Sequence, residues 1–200
     1  MRSLVLIIAA LLVSAQAWAA DCTPEQLVRI RFSTLLPGGN PQSFAAQPKT
    51  LYRQGAKYGR IEELPDLLRG VHQLIVVSEP DIWVVNLAKR TGQHLVDPGP
   101  TFFFRAPLMT EKGSPFFTGL EFGCEIDYVK ATGATQTRTG NGAAQYLATQ
   151  GTESIVVSTT AGTDRVDSVR FMRDGKEVVT IRYLEYERLQ PSTEIGRAHV

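Results

Sequence analysis

Residues Val71 to Leu87 read VHQLIVVSEPDIWVVNL, two apolar runs on either side of a short polar turn. Both runs are rich in β-branched residues, which favour strands. Pro80 and Asp81 lie between them, and both residue types are typical of tight turns. We therefore expect a β-hairpin here. Because apolar residues occupy consecutive positions, we expect both faces of this hairpin to be covered.

Shorter strand-like segments surround the hairpin. Lys49–Arg53 and Ala56–Glu63 are separated by Gln54-Gly55 and predict a second hairpin. Further strands are expected at residues 93–96, 101–105, 144–149, 154–158, 167–173 and 176–187. Tight turns rather than helical crossovers join most of these segments. The sheet should therefore be mostly antiparallel.

The last two segments permit a prediction of register. A three-residue loop, Arg173-Asp174-Gly175, would pair odd positions with odd positions. One face of this hairpin would then carry five apolar side chains, those of Val169, Phe171, Val179, Ile181 and Tyr183. A two-residue loop would divide that apolar set between the core and water. We therefore expect the longer loop.

Two segments favour helices. Thr23-Pro24-Glu25-Gln26 is typical of a helix start, and Leu27–Leu35 has apolar residues at spacings of three and four. Ser114–Ala131 shows similar spacings and predicts a second helix, whereas Ala134–Gly142 is typical of a turn. The expected fold class is α+β: a curved, mostly antiparallel sheet, forming a half-open barrel covered by about two helices.

The two ends of the chain do not belong to the expected domain. Residues 1–19 contain a basic start, an apolar run from Leu4 to Val13 and Ala17-Trp18-Ala19, which predict a secretory signal peptide. Residues 194–200, EIGRAHV, match what a common sequencing adapter encodes, so we expect a non-native tail. One domain, residues 20–193, would remain, and a cleaved signal peptide would place it in the periplasm.

The two cysteines are expected to pair. Export through a signal peptide would bring Cys22 and Cys124 to an oxidising compartment, where a disulfide persists. Two buried free thiols are the alternative. His72 and His94 show no ligand spacing with the cysteines, so we expect no metal site and no cofactor.

The charges are balanced, with 21 Lys and Arg against 20 Asp and Glu. Nucleic-acid binding requires a clustered basic excess, so we expect no nucleic-acid partner. The apolar run at the start is half the length of a membrane span, and we expect no integral span once the signal peptide is removed.

Catalytic motifs are weak. His94 and Asp97 lie close in sequence, but no Gly-x-Ser-x-Gly supplies a nucleophile. Glu62 with Glu63, or Glu125 with Asp127, are neighbours that point apart on a strand or helix, which does not suit acid–base chemistry. We therefore expect no enzyme, with an unrecognised hydrolase as a remote alternative.

Aromatic residues give the stronger signal. They are Trp83, Phe102, Phe104, Phe116, Phe117, Phe122 and Tyr128, from the central strands and the second expected helix. Simple core packing is one interpretation. The other is that they line an apolar cleft that binds a lipid or acyl chain, which requires no special polar chemistry.

Three motifs resemble the LolA-like superfamily of periplasmic lipoprotein carriers. They are residues 51–62, LYRQGAKYGRIE, then residues 81–87, DIWVVNL, and the closing Asp-Gly hairpin. The resemblance covers Lys49–Glu187 in layout. It implies an incomplete antiparallel barrel that holds acyl chains of lipoproteins or lipids. We expect a soluble periplasmic protein that binds a lipid or acylated protein, or alternatively an envelope-protein assembly module with a filled core.

Overall fold

The computed structural model describes residues 26–43, 46–97, 104–105 and 114–189. Within these residues the strands are β1 Leu27–Leu35, β2 Lys49–Gln54, β3 Tyr58–Glu63, β4 Gln73–Ser78, β5 Asp81–Asn86, β6 Thr91–Val96, β7 Thr135–Arg138, β8 Ala144–Gln150, β9 Glu153–Thr159, β10 Val166–Arg173 and β11 Lys176–Leu189. Two short helices, α1 Pro115–Thr118 and α2 Glu125–Ala131, lie between β6 and β7.

One sheet contains all eleven strands, in the order β6-β5-β4-β3-β2-β1-β11-β10-β9-β8-β7. Each neighbouring pair is antiparallel. The strands begin at the centre with β1 and proceed one by one to one edge. After β6 the chain continues at the opposite edge with β7, and it returns to pair β11 with β1. We call the described residues between β6 and β7, which are 97, 104–105 and 114–134, the crossover segment. This topology confirms the expected antiparallel sheet.

The expected α+β class, a half-open barrel covered by about two helices, is wrong. The sheet is open rather than closed into a barrel, with β6 and β7 at its edges. In the described part of the chain, the two helices have four and seven residues. The protein is therefore mostly β, and helical cover is minimal.

The helix expected over Leu27–Leu35 is the central strand β1. Val28, Ile30 and Phe32 alternate with polar residues and belong to the buried core. Alternation is the strand period, and β1 pairs along its length with β11 and with β2 on its other side. The apolar neighbours Leu27 and Leu35 produced the apparent helical spacing.

The second expected helix, Ser114–Ala131, is broken in its middle. Ser114 caps α1 by accepting a hydrogen bond from the Phe117 amide, 3.2 Å away. Gly123 has φ of +88°, a conformation that suits glycine and interrupts the helix before α2. The segment expected to be a turn, Ala134–Gly142, contains the edge strand β7.

The closing hairpin has the expected face but a different loop. Arg173 pairs with Lys176, so the loop is the two residues Asp174 and Gly175, both with positive φ as in a type I′ turn. A bulge next to Phe171 restores the register. Four of the five predicted side chains share the core pairs Val169–Ile181 and Phe171–Val179. The bulge therefore keeps the apolar side chains on one face of the hairpin, which is the effect expected from the longer loop.

The crossover segment packs directly on the sheet at Gly59. This residue lies at an inward-facing position of β3, and Ile61, which packs partly buried against the core, is two positions further along. A Cβ on Gly59 would lie 2.1 Å from Cε1 of Phe104. The absence of a side chain on Gly59 therefore makes room for the Phe104 ring.

Gly59→Ala should lower the free energy of unfolding by about 1–3 kcal/mol, because it overpacks this contact. In a Phe104→Ala background the same substitution should cost almost nothing, since the clashing ring is gone. Urea unfolding of the four proteins in the double-mutant cycle measures the coupling. Gly140→Ala, with open space around the added Cβ, is the matched control. Additive effects of the two substitutions would contradict the contact.

Candidate functional site

An aromatic layer forms where the crossover segment meets the inner face of the sheet. Phe122 lies 4.4 Å from Phe32 and 6.1 Å from Tyr183, between ring centroids. Phe117 meets Phe171 edge to face at 5.3 Å. Edge-to-face and tilted arrangements are the favourable ones for aromatic pairs. Five of the residues singled out from sequence lie in this layer and are at most 6% exposed: Phe104, Phe116, Phe117, Phe122 and Tyr128.

The remaining two aromatic residues are placed differently. Trp83 alternates with Ile82, which packs against the inner core, so the indole lies on the outer face of the sheet. There it stacks on His94, with ring centroids 5.1 Å apart. Phe102 lies outside the described residues. The structure therefore brings five of the seven predicted residues together and separates Trp83 from them.

His94 has a different partner from the one considered in the sequence. Its Nε2 lies 2.7 Å from Oδ1 of Asp81, on the neighbouring strand β5, and both side chains are exposed. Asp97 is buried after β6, where its amide donates to the carbonyl of Pro80. The His94–Asp97 pair weighed as part of a hydrolase triad is therefore replaced by an exposed His94–Asp81 pair on the outer face.

A buried arginine fastens the crossover segment to the sheet. Arg53 on β2 is 1% exposed and points inward, like Leu51 two positions before it. One guanidinium nitrogen donates to the carbonyl of Phe122 at 2.7 Å, and another lies 2.7 Å from the Glu121 carboxylate. The guanidinium carbon lies 5.0 Å from the centre of the Phe104 ring. Three parts of the crossover segment thus converge on one side chain.

A second buried polar contact lies beside the first. Glu125 opens α2 and is 2% exposed. It accepts a hydrogen bond from the hydroxyl of Tyr183 on β11 at 2.5 Å, and another from the Gly123 amide at 2.8 Å. Burial is the main cause that raises the pKa of Glu125, and it also raises the pKa of Tyr183 well above its usual value. We call Arg53, Glu121, Glu125 and Tyr183 the ionic cluster.

The start of α1 has its own polar contact with the sheet. The Ser114 hydroxyl donates to the carboxylate of Glu153 on β9. Arg173 on β10 donates to the same carboxylate at 2.9 and 3.1 Å. Its guanidinium also lies 5.7 Å from the centre of the Phe117 ring. Polar contacts therefore hold the crossover segment at both ends of its described helical part.

The expected disulfide stays a prediction. Cys124 is 4% exposed and precedes α2, next to the ionic cluster. Within the described residues there is no free cysteine. The predicted partner, Cys22, lies outside them.

Neither a metal-binding cluster nor a membrane-spanning helix is present in the described residues. No group of three or more His, Cys, Asp or Glu side chains there is arranged to hold a metal ion. No helix in this part of the chain is both long and apolar enough to cross a membrane.

Sequence reasoning missed the ionic cluster. A signal was available for Arg53, because it has the same parity as Leu51 and must therefore point to the same face of β2. A charged residue at an inward position requires a partner. The partner carboxylate, Glu121, lies in the crossover segment, far from Arg53 in sequence. The other pair of the cluster, Glu125 and Tyr183, is separated by 58 residues, and only the topology of the sheet brings these groups together.

Comparisons with known proteins give no family. No protein-family model matches the chain, and no curated protein matches it significantly. Among solved structures, the chain is similar to the crystal structure of an uncharacterized conserved protein from Thermus thermophilus. The two share 12% identity and a TM-score of 0.48, over 86% of this chain and 85% of that chain. A likeness this distant does not indicate a function for this chain.

Glu125→Gln should stabilise the protein increasingly as the pH rises. The folded-state pKa of Glu125 is raised above the unfolded value, so its favourable contribution is complete at low pH. That contribution is lost as the pH rises from the usual value of 4.5 through the folded-state value. Glutamine stays neutral and can still accept from Tyr183. The Tm difference between variant and wild type should therefore grow from pH 4 to pH 8 in thermal unfolding.

Glu185→Gln is the control with the opposite sign. Hydrogen bonds from Arg29 and Arg31 lower the pKa of Glu185, so its contribution is present above the usual value and is lost as the pH falls. This variant should lose stability relative to wild type at pH 8. A Glu125→Gln variant that is less stable than wild type at pH 8 would contradict the account of the buried carboxyl.

Proposed function

We propose that the protein binds the acyl chain of a lipid or of an acylated protein between the inner face of the sheet and the crossover segment. The observation that carries this proposal is the composition of that interface. Its inner surface is a continuous apolar layer to which nine of the strands and both helices contribute. The described polar contacts that bind the crossover segment to it include the ionic cluster and the Glu153 contact.

Such an interface suits an exchangeable apolar ligand. Burying each methylene group of an acyl chain contributes about 0.8 kcal/mol, so ten methylenes supply about 8 kcal/mol before costs are subtracted. Aromatic side chains present rigid apolar surfaces that pack against a flexible chain without directional requirements. The acyl chain would replace contacts that the crossover side chains make with the sheet, and no reactive group is needed.

The ionic cluster would make the crossover segment leave the sheet and return to it as one unit. Arg53 binds the carbonyl of Phe122 and the carboxylate of Glu121, whereas Glu125 binds Tyr183 one turn further on. These groups require each other, because an uncompensated buried charge is costly. Displacement of the crossover segment would expose all of them to water together. The ionic cluster would thus hold the crossover segment on the sheet when no ligand lies between the segment and the sheet.

A second candidate is an envelope-protein assembly module with a filled core. The observation that favours it is the tight packing of the same layer: Phe117, Leu120 and Val129 are 0% exposed. A module of this kind would use its outer surface and would leave the inner layer undisturbed. The two candidates therefore differ in whether an acyl chain reaches the inner face.

Photolabelling with a diazirine-bearing fatty acid distinguishes them. Acyl binding predicts saturable labelling of peptides from the inner face and the crossover segment, suppressed by excess unlabelled phospholipid. Mass spectrometry of the digested protein locates the label. Labelling that does not saturate, or that falls only on the outer face, would contradict the proposal and favour the assembly module.

A pair of variants on one strand sharpens this test. Ile61→Trp adds volume on the inner face of β3 and should lower the affinity for a fluorescent acyl probe by about tenfold, because it occupies the space of one or two methylenes. Tyr58→Trp places the same indole on the outer face of β3, where Tyr58 is 44% exposed, and should leave the affinity unchanged. Equal effects of the two substitutions would contradict binding at the inner face.

A further inference from the structure

The turn between β3 and β4 presents leucines to solvent. Leu67 is 77% exposed, Leu68 is fully exposed and Leu64 is 45% exposed. Isolated exposed leucines are common, but several within one turn form a patch that usually has a partner. The patch lies at one end of the sheet and is separate from the inner aromatic layer.

The turn is ordered and holds its leucines outward. Asp66 and Val71 pair through two backbone hydrogen bonds, of 2.7 and 2.9 Å. The Asp66 carboxylate also accepts from the Arg69 amide at 3.1 Å. The backbone at the base of the turn is therefore satisfied without the leucine side chains. Their exposure is a consequence of the turn's geometry, since residues 67 and 68 form its apex.

The turn between β5 and β6 lies directly beside it. The Asn86 amide group donates to the carbonyl of Gly70 at 3.0 Å, and the Leu87 amide donates to the carbonyl of His72 at 2.8 Å. A Cβ on Gly70 would lie 3.2 Å from Cε of Lys89, so the lysine side chain lies against the first turn. Leu87 adds a fourth leucine, which is 42% exposed.

The two turns also carry positive charge. Arg69 has a side chain that is 71% exposed, and Lys89 and Arg90 are exposed on the second turn. Of the nearby acidic groups, Asp66 lies 3.5 Å from Arg69, and Glu63 lies 3.8 Å from Lys49. Three cations thus face solvent around the leucines, and one of them has a carboxylate partner on the same turn.

We propose that these two turns dock on the surface of a membrane that contains anionic phospholipids. The surface consists of Leu64, Leu67, Leu68 and Leu87 with Arg69, Lys89 and Arg90, and we call it the leucine tip. The leucines enter the boundary between headgroups and acyl chains, and the cations remain at the level of the phosphates. This is the arrangement by which peripheral proteins combine apolar burial with attraction to anionic lipids.

A lipid surface fits the leucine tip better than a protein partner. Protein interfaces are anchored mainly by Trp, Tyr and Arg in pockets, whereas leucine is under-represented among their energetically dominant residues. The leucine tip has aliphatic side chains at the apex of a projecting turn. Cations beside aliphatic groups complement a surface that has phosphates above hydrocarbon.

Vesicle sedimentation tests this proposal with the purified protein. Vesicles of phosphatidylglycerol and phosphatidylcholine in equal parts should bind the protein, and vesicles of phosphatidylcholine alone should bind it at least tenfold more weakly. The double variant Leu67→Gln/Leu68→Gln should lose at least about tenfold in affinity for the anionic vesicles, because two leucines no longer leave water. Lys89→Gln/Arg90→Gln should lose about fivefold for each charge removed.

Two controls separate this surface from acyl binding at the inner face. Leu36→Gln removes a leucine that is 59% exposed, outside the leucine tip, and should leave vesicle binding unchanged. Ile61→Trp should also leave vesicle binding unchanged although it weakens binding of the acyl probe. Failure of wild type to bind anionic vesicles, or equal losses in the Leu36 and Leu67/Leu68 variants, would overturn the proposal. Self-association through the tip, detected as a dimer that the Leu67/Leu68 variant lacks, would also overturn it.

Discussion

The burial of the Arg53 guanidinium constrains the whole molecule. A cation that is 1% exposed must have its charge and its donors satisfied inside the protein. The Arg53 Nε donates to the carbonyl of Gly55 in the turn after β2. The other described contacts of the guanidinium, with Glu121, the carbonyl of Phe122 and the face of Phe104, come from the crossover segment. The sheet and the segment are therefore not independent layers. The Arg53 guanidinium lacks these partners unless the crossover segment is in place, and the Glu121 carboxylate and Phe122 carbonyl lack theirs unless the sheet is in place.

Strand parity decides which side chains take part in this contact. Leu51 and Arg53 share the inner face of β2, and Gly59 on β3 leaves the space that the Phe104 ring fills. The same alternation along β5 turns Ile82 inward and places Trp83 on the outer face, against His94. The sheet therefore separates Trp83 from the inner aromatic layer, to which Phe104 of the crossover segment belongs.

Local signals in the sequence were sufficient for most hairpins. The runs around Pro80 and the pairing of β2 with β3 follow from β-branched residues and turn residues, which act over a few positions. Leu27–Leu35 was misread because Leu27 and Leu35 added a helical spacing to the true alternation of Val28, Ile30 and Phe32. The choice between the helical period and the strand period depends on pairing of β1 with β2 on one side and β11 on the other. Because β11 lies far away in sequence, the local pattern does not reveal this pairing.

The candidate site was partly predictable for the same reason. Aromatic residues concentrated near the crossover segment predicted where an apolar layer would form. The ionic cluster could not be predicted, because Arg53 comes close enough to Glu125 for their charges to interact only after the eleven strands have found their order. The leucine tip shows the converse case: its residues are nearly contiguous, yet their exposure depends on how the two turns pack.

Native-state hydrogen exchange of Arg53→Met tests the central claim most directly. If the buried guanidinium holds the crossover segment on the sheet, amides of α1 and α2 should lose protection by at least about a hundredfold, in line with the loss of one partner of a buried pair. Amides of β8 to β10 should keep most of theirs. Arg31→Met, which removes a half-exposed ion pair with Glu185, should leave both groups near wild-type protection. Unchanged protection of α1 and α2 in Arg53→Met, or equal losses throughout the sheet, would contradict the account.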